Sequence, residues 1–237
     1  MILSTHGIIG SSGAVVAPAS TGLYAVYKAE NNANDSLGVL NGTAVGGVTY
    51  TTGINGNAFN LNGTTGLISL PNGALSSLGT SFSYNVWVYI NQYNGNGICA
   101  IFNTYTDSGG NRGFYTRVGS QTLQTYAFNS SGTAIINGAG GGAIPVLTWK
   151  MVTITFDGSN VRSYVNGSIV DTTAYSGTIA YGATTYPSFG ALHYDTATYA
   201  YFLQGKIDEV NIWNKKLSNA EVTDLYNSGT GKFYPTF

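Results

Sequence analysis

From Phe82 to Ile90 the chain alternates in character. Phe82, Tyr84, Val86, Val88 and Ile90 fall on one face of an extended segment, and Ser83, Asn85, Trp87 and Tyr89 on the other. A period of two is that of a β-strand. Met151–Asp157 repeats it, with Val152, Ile154 and Phe156 on the inward face. Asp157-Gly158, Val161–Val165, Asn166-Gly167 and Ser168–Ala174 follow in order. Asp-Gly and Asn-Gly supply the positive φ angles of tight hairpins, so residues 150–174 are predicted to form a three-stranded antiparallel meander. Further strands are predicted at Leu23–Lys28, Ala58–Leu61, Gly66–Leu70, Gly97–Thr104, Gly113–Val118, Thr122–Phe128, Ser188–Leu192 and Tyr201–Trp213. Short strands with almost no helix between them point to an all-β sandwich or barrel.

One helix is legible. Ser218-Asn219-Ala220-Glu221 has the form of a capping box, in which the serine accepts from the third helical amide and the glutamate reaches back. Val222, Leu225 and Tyr226 share a face, and Gly229 is placed to end the element, which predicts a helix over 219–227.

Composition narrows the function. Charged residues are 8% of the 237, well under the usual ~25%, and the net charge is −1. The nine basic residues are scattered, with only Lys215 and Lys216 adjacent, so the basic patch of a nucleic-acid binder is absent. Cys99 is the sole cysteine, which excludes an intrachain disulfide and a cysteine zinc cluster. It lies in the apolar run 98–102 and is expected to be a buried thiol. No stretch approaches ~20 apolar residues, so no helical membrane span is predicted.

Residues 1–22 stand apart. Ile2, Leu3, Ile8, Ile9, Val15 and Val16 are interspersed with glycines and serines. No Lys or Arg precedes them and Gly7, Gly10 and Gly13 break the run, unlike a secretory leader. The segment reads as a retained arm. Alone it is expected to be disordered, so its apolar residues are expected to bury against a partner subunit, in a homo-oligomer or larger assembly.

Four segments, taken in order, carry a family resemblance. They are Glu30–Gly38 with Asn41-Gly42-Thr43, then Gly56–Gly63, then Trp149–Gly158 with Val165-Asn166-Gly167, and last Gly205–Asn214 with Leu217-Ser218. Their order and spacing resemble the laminin-G-like jelly-roll family of the concanavalin A-like lectin/glucanase superfamily, over about residues 23–229. Lys150 stands where that family usually has His. The resemblance implies a two-sheet antiparallel β-sandwich, a jelly roll, at residues 23–237 with one short C-terminal helix. The opening run from Met1 to Ser12 also resembles the short N-termini of tailed-phage structural proteins.

The same resemblance implies calcium held between the first and last motifs. Alternation puts Asp208 on the face of Val210 and Ile212, the core-facing set, where an unpaired carboxylate costs several kcal/mol. Calcium takes oxygen ligands, and Asp35, Asn41 and Asp208 are the expected set. The alternative is a buried Asp satisfied by hydrogen bonds with no ion.

Catalysis finds no support. Glycosidases of this superfamily carry Glu-x-Asp-x-Glu, and Lys206-Ile207-Asp208-Glu209-Val210 lacks both glutamates of that pattern. No other acids stand two apart on a strand, His6 and His193 are distant in sequence, and no nucleophile motif appears. The chain is read as a non-enzyme.

For a glycan, loop tyrosines beside planar polar groups are the candidates. They are Tyr93; Tyr105 with Asp107, Asn111 and Arg112; and Tyr194 with Asp195 and Tyr199. In a chain with 18 tyrosines, the plain reading of any one is sheet packing. Together these features predict a non-enzymatic virion surface protein, such as a capsid decoration, fibre or tail appendage. It would dock through the arm and present a lectin-like sandwich to a surface glycan. The alternative is a secreted or cell-surface carbohydrate-binding module.

Overall fold

The computed structural model describes residues 19–106, 112–181, 185–194 and 198–237. The arm residues Ile2, Leu3, Ile8, Ile9, Val15 and Val16, and the loop residues Asp107, Asn111 and Asp195, lie outside the described residues. The chain runs through β1 (Leu23–Tyr27), β2 (Thr43–Val45), β3 (Thr49–Thr52), β4 (Asn57–Asn62), β5 (Leu67–Ser69) and β6 (Ser81–Gln92). Next come β7 (Ile98–Asn103), β8 (Gly113–Gly119), β9 (Thr122–Phe128), β10 (Ala134–Ala139), β11 (Trp149–Asp157), β12 (Asn160–Val165) and β13 (Ser168–Ala174). Then follow β14 (Ser188–Phe189), β15 (Leu192–His193), β16 (Tyr199–Ala200), β17 (Gln204–Trp213) and α1 (Asn219–Tyr226).

All of these strands except β15 and β16, which pair only with each other, make two antiparallel sheets. The first runs β13-β12-β11-β6-β17-β4-β3, with β1 also paired to β17. The second runs β10-β9-β8-β7-β14-β5-β2. The predicted meander is present as β11, β12 and β13. At its second turn Asn166 and Gly167 both take positive φ, 52° and 77°, as a two-residue turn of this twist requires.

Between the sheets lies one apolar core. β6 gives Phe82, Tyr84, Val86, Val88 and Ile90, β11 gives Val152, Ile154 and Phe156, and β8 and β7 answer with Phe114, Val118, Ile101 and Phe102. The rings of Phe82 and Phe156 stack at 4.3 Å, and Tyr84 meets Phe102 edge-on at 4.7 Å. Cys99 is buried in this core, which pushes its thiol pKa up to about 12 and keeps it protonated.

The outer face of the first sheet is also covered. Trp87, Met151, Tyr164 and Trp213 pack there against Leu217, Val222, Leu225 and Phe237. That is why β6 is buried on both faces, whereas its alternation alone suggests one solvated side. Ala19 joins this second cluster, and its carbonyl accepts from the Trp213 indole N–H. Thus Ala19 to Gly22, within the segment read as an arm, sit on the sandwich; Gly22 also accepts the amide of Asn214.

The structure departs from expectation in places. The helix ends at Tyr226, with Asn227 rather than Gly229 as its left-handed cap, at φ 46°. The stretch expected as one strand at 188–192 is two short strands either side of Gly190. Strands β2, β3, β10 and β16 were not predicted, since short exposed segments show weak alternation. Most consequential is a bulge in β17: Asp208 opposes Trp87 but Asn211 opposes Asn85, so one extra residue is accommodated, with Glu209 at φ 48°. Asp208 therefore shares the outer face with Trp87, while Val210 and Ile212 face the core.

Candidate functional site

The outward face of the second sheet is built by alternation in β8 and β9. Phe114, Thr116 and Val118 are buried, so Tyr115 and Arg117 point away from the core; likewise Leu123, Thr125 and Ala127 release Gln124 and Tyr126. The register sets Tyr115 opposite Tyr126 and Arg117 opposite Gln124. Tyr115 and Tyr126 stack at 4.8 Å with planes 17° apart. Asn137 of β10 is the next exposed residue across from Tyr126. On β7 the residue opposite Arg117 is Ala100, whose small side chain leaves room above the strand. Tyr201 occupies that neighbourhood, its carbonyl taking the Ala100 amide at 2.7 Å.

Arg117 stands at the centre. Its guanidinium lies 4.7 Å from the Tyr126 ring centroid and 5.6 Å from that of Tyr201. Nε donates to Gln124 Oε1 at 3.0 Å and Nη2 to the Tyr126 hydroxyl at 2.8 Å. Aromatic contacts continue from Tyr115 to Tyr105, which in turn meets Phe128 and Tyr194.

Tyr105 and Tyr194, expected from loops, thus join this array. Tyr105 is nearly buried and serves as its floor. Arg112 lies at its end, where it bridges to Thr106 through the backbone. Tyr199 stacks on His193 at 4.4 Å and contacts Phe202, in a neighbouring group. Tyr93 does something else. It packs on the core and its hydroxyl donates to the Ile144 carbonyl, and burial raises its pKa to about 12. Tyr115, Arg117, Gln124, Tyr126 and Tyr201 were missed as candidates. The signal is present in the sequence, because the polar and aromatic residues of two predicted strands fall on one parity.

On the first sheet Lys206 Nζ lies 5.1 Å from the Tyr89 ring and 6.0 Å from Trp149, but its ammonium is engaged by the Thr52 carbonyl at 3.2 Å. An open groove of about 630 Å³ between Asn166–Ser168 and α1 is lined by small polar side chains, Tyr226 apart.

The residues expected to hold calcium do not fit it. Asp35 Oδ1 accepts the amides of Val26 at 2.9 Å and Leu37 at 3.0 Å, and Oδ2 those of Val39 at 3.1 Å and Leu40 at 3.0 Å. A carboxylate has about four acceptor positions, and here all face N–H dipoles whose positive ends would oppose a cation. Asn41 Oδ1 takes the Asp35 amide at 3.1 Å. Asp208 is engaged separately, by the amides of Ile54, Asn55 and Glu209. Among the described residues no group of three or more His, Cys, Asp or Glu side chains is arranged for a metal.

Fold and site together define a β-sandwich closed on one outer face by a helix and lined on the other with tyrosines around an arginine. Residues 62–223 match the family model Laminin_G_3, concanavalin A-like lectin/glucanases superfamily, and the chain belongs to that family. A comparison with curated protein sequences finds no match. Domain 4 of AbnA, a GH43 extracellular arabinanase from Geobacillus stearothermophilus, in complex with arabinotriose, is 22% identical with a TM-score of 0.64, over 85% of this chain and 97% of that one. The binding domain of Paraclostridial mosquitocidal protein 1 is 18% identical with a TM-score of 0.67, over 87% and 52%. The receptor binding domain of the botulinum neurotoxin C/D mosaic serotype gives 18% and 0.66, over 88% and 51%. The chain thus spans about half of each toxin domain. At these identities the likeness is one of fold.

Proposed function

We propose that this chain is a non-enzymatic, lectin-like protein whose second-sheet face binds a glycan. The observation that carries the reading is the array of Tyr115, Tyr126 and Tyr201 around Arg117, with Gln124 and Asn137 beside it. Sugars present C–H faces to aromatic rings and hydroxyls to planar polar groups, and this array offers both. That a solved relative of the same fold holds arabinotriose supports the reading. Catalysis is not favoured: Asp208 and Glu209, the one adjacent pair of acids, are fully buried. Replacing Tyr115 and Tyr126 together by Ala is expected to weaken oligosaccharide binding at least tenfold. Because both rings face away from the core, the double variant should still unfold cooperatively, with a melting temperature lowered only by the loss of this stacked cross-strand pair. Undiminished binding by the double variant would remove this face from consideration.

For the setting, we propose display on a virion surface, as a decoration, fibre or tail appendage docked through residues 1–18. The alternative is a secreted or cell-surface module; the extracellular arabinanase relative speaks for it. Truncation before Ala19 separates the two. It abolishes oligomerisation or incorporation under the first and leaves the isolated module unchanged under the second. The cut belongs before Ala19 because that residue packs on the sandwich.

A further inference from the structure

We propose that the tyrosine face selects acidic saccharides, with Arg117 as the residue that takes a sugar carboxylate. The inference rests on the glycan-binding reading above and sharpens it. Arg117 is one of only three arginines in a chain poor in charge. Arg162 is paired with Asp157 at 2.6 Å. Among the described residues Arg117 has no carboxylate partner, and its two hydrogen bonds go to neutral acceptors, Gln124 Oε1 and the Tyr126 hydroxyl. A guanidinium carries five N–H donors. Two are used, so three remain on a partly exposed residue.

The remaining donors are held in place. Rings of Tyr126 and Tyr201 lie near the guanidinium, and its bonds to Gln124 and Tyr126 fix its rotation. Tyr201 sits at φ 54°, a region costly for a bulky residue, and the Ala100 amide anchors it there. A strained tyrosine positioned beside an arginine is the kind of local cost that tends to gather at ligand sites. A carboxylate is planar and accepts two parallel N–H bonds from a guanidinium edge, which favours it over the tetrahedral sulfate. The neighbouring tyrosine hydroxyls and Asn137 are then left to meet the sugar hydroxyls. Arg112, at the end of the same strand, adds positive charge without an ion pair among the described residues.

The test uses the full chain and matched ligands. Trigalacturonate is titrated against its methyl ester, 3′-sialyllactose against lactose, and sulfated lactose serves as a third arm. At least one acid is expected to bind ten times or more tighter than its neutral partner, with the gap shrinking as salt rises. Arg117→Gln should erase the gap, and Arg117→Lys should keep the charge but lose most of the gap with the fork. An unchanged thermal unfolding curve for both variants shows that the fold is intact. Equal affinity for acid and neutral sugars, or a gap that survives Arg117→Gln, overturns this inference while leaving glycan binding standing. Preference for sulfated lactose over both carboxylates overturns the choice of carboxylate. Failure of every sugar to bind the folded parent defeats the proposed function and the inference together.

Discussion

Glu209 and Asp208 are adjacent carboxyl groups sealed under the outer face, and their satisfaction is unequal. Asp208 accepts three backbone amides, whereas among the described residues Glu209 accepts only the Asn55 side-chain amide at 2.7 Å, and its buried Oε2 has no hydrogen bond to any of them. Burial raises Glu209 to about 7, with the Asn55 hydrogen bond and Lys28 opposing and Glu30 adding to the rise. Burial, reinforced by the neighbouring Glu209 charge, raises Asp208 to about 8. The two titrate as a pair, so both values belong to the pair rather than to either residue alone. Both folded values lie above the unfolded ones, so the folded chain binds more protons and stability falls as pH rises from the ordinary carboxylate range to about 8. At the acid end Asp157 acts oppositely. Burial alone would raise its pKa, but Arg162, the amides of Asn160 and Ser159, and Lys216 hold it well below the usual range. Its contribution is lost as pH falls through the carboxylate range. A melting temperature highest at about pH 4, where Asp157 is already charged and the buried pair still protonated, is expected, and Glu209→Gln should flatten the decline toward pH 8.5 that the parent shows. Asp35 gives a second expectation. Asp35→Ala leaves four amide donors without their acceptor and should cost about 3 kcal/mol in a denaturant titration, whereas a calcium chelator should leave the parent's melting temperature where it is.

Among elements, α1 shows how a short helix closes a sheet. It is only eight residues long, too short to be stable alone, and is specified by its cap and its buried side. Ser218 Oγ accepts the Glu221 amide at 3.2 Å, and Glu221 returns a bond to the Ser218 amide at 2.7 Å. Ser218→Ala is expected to cost about 1 kcal/mol. This cap was legible in the sequence, as were the meander and the inward faces of β6 and β11, because each depends on residues close in the chain. The bulge in β17 was not. Glu209 is neither glycine nor asparagine, and only the pairing of Asp208 with Trp87 and Asn211 with Asn85 shows that an extra residue is inserted. A slip of one residue reverses the face of everything before it, which is why Asp208 was expected in the core. The ligand face was half legible for a related reason. The alternation of β8 and β9 could be read locally, but the meeting of Arg117 with Tyr201 joins residues 84 apart and depends on tertiary packing.

At the scale of the molecule, the two sheets have different outer surfaces. The first is covered by α1, the C-terminal residue Phe237 and Ala19, and the second carries the tyrosines and Arg117 on its outer side. Ala19 therefore sits on the side opposite the proposed binding face. The consequence is a matter of polarity. Copies seated on a common support through the face that carries Ala19 and α1 would all turn the same sheet outward. Such an arrangement converts a weak single-site affinity into strong collective attachment, because each engaged copy raises the effective concentration of ligand for its neighbours.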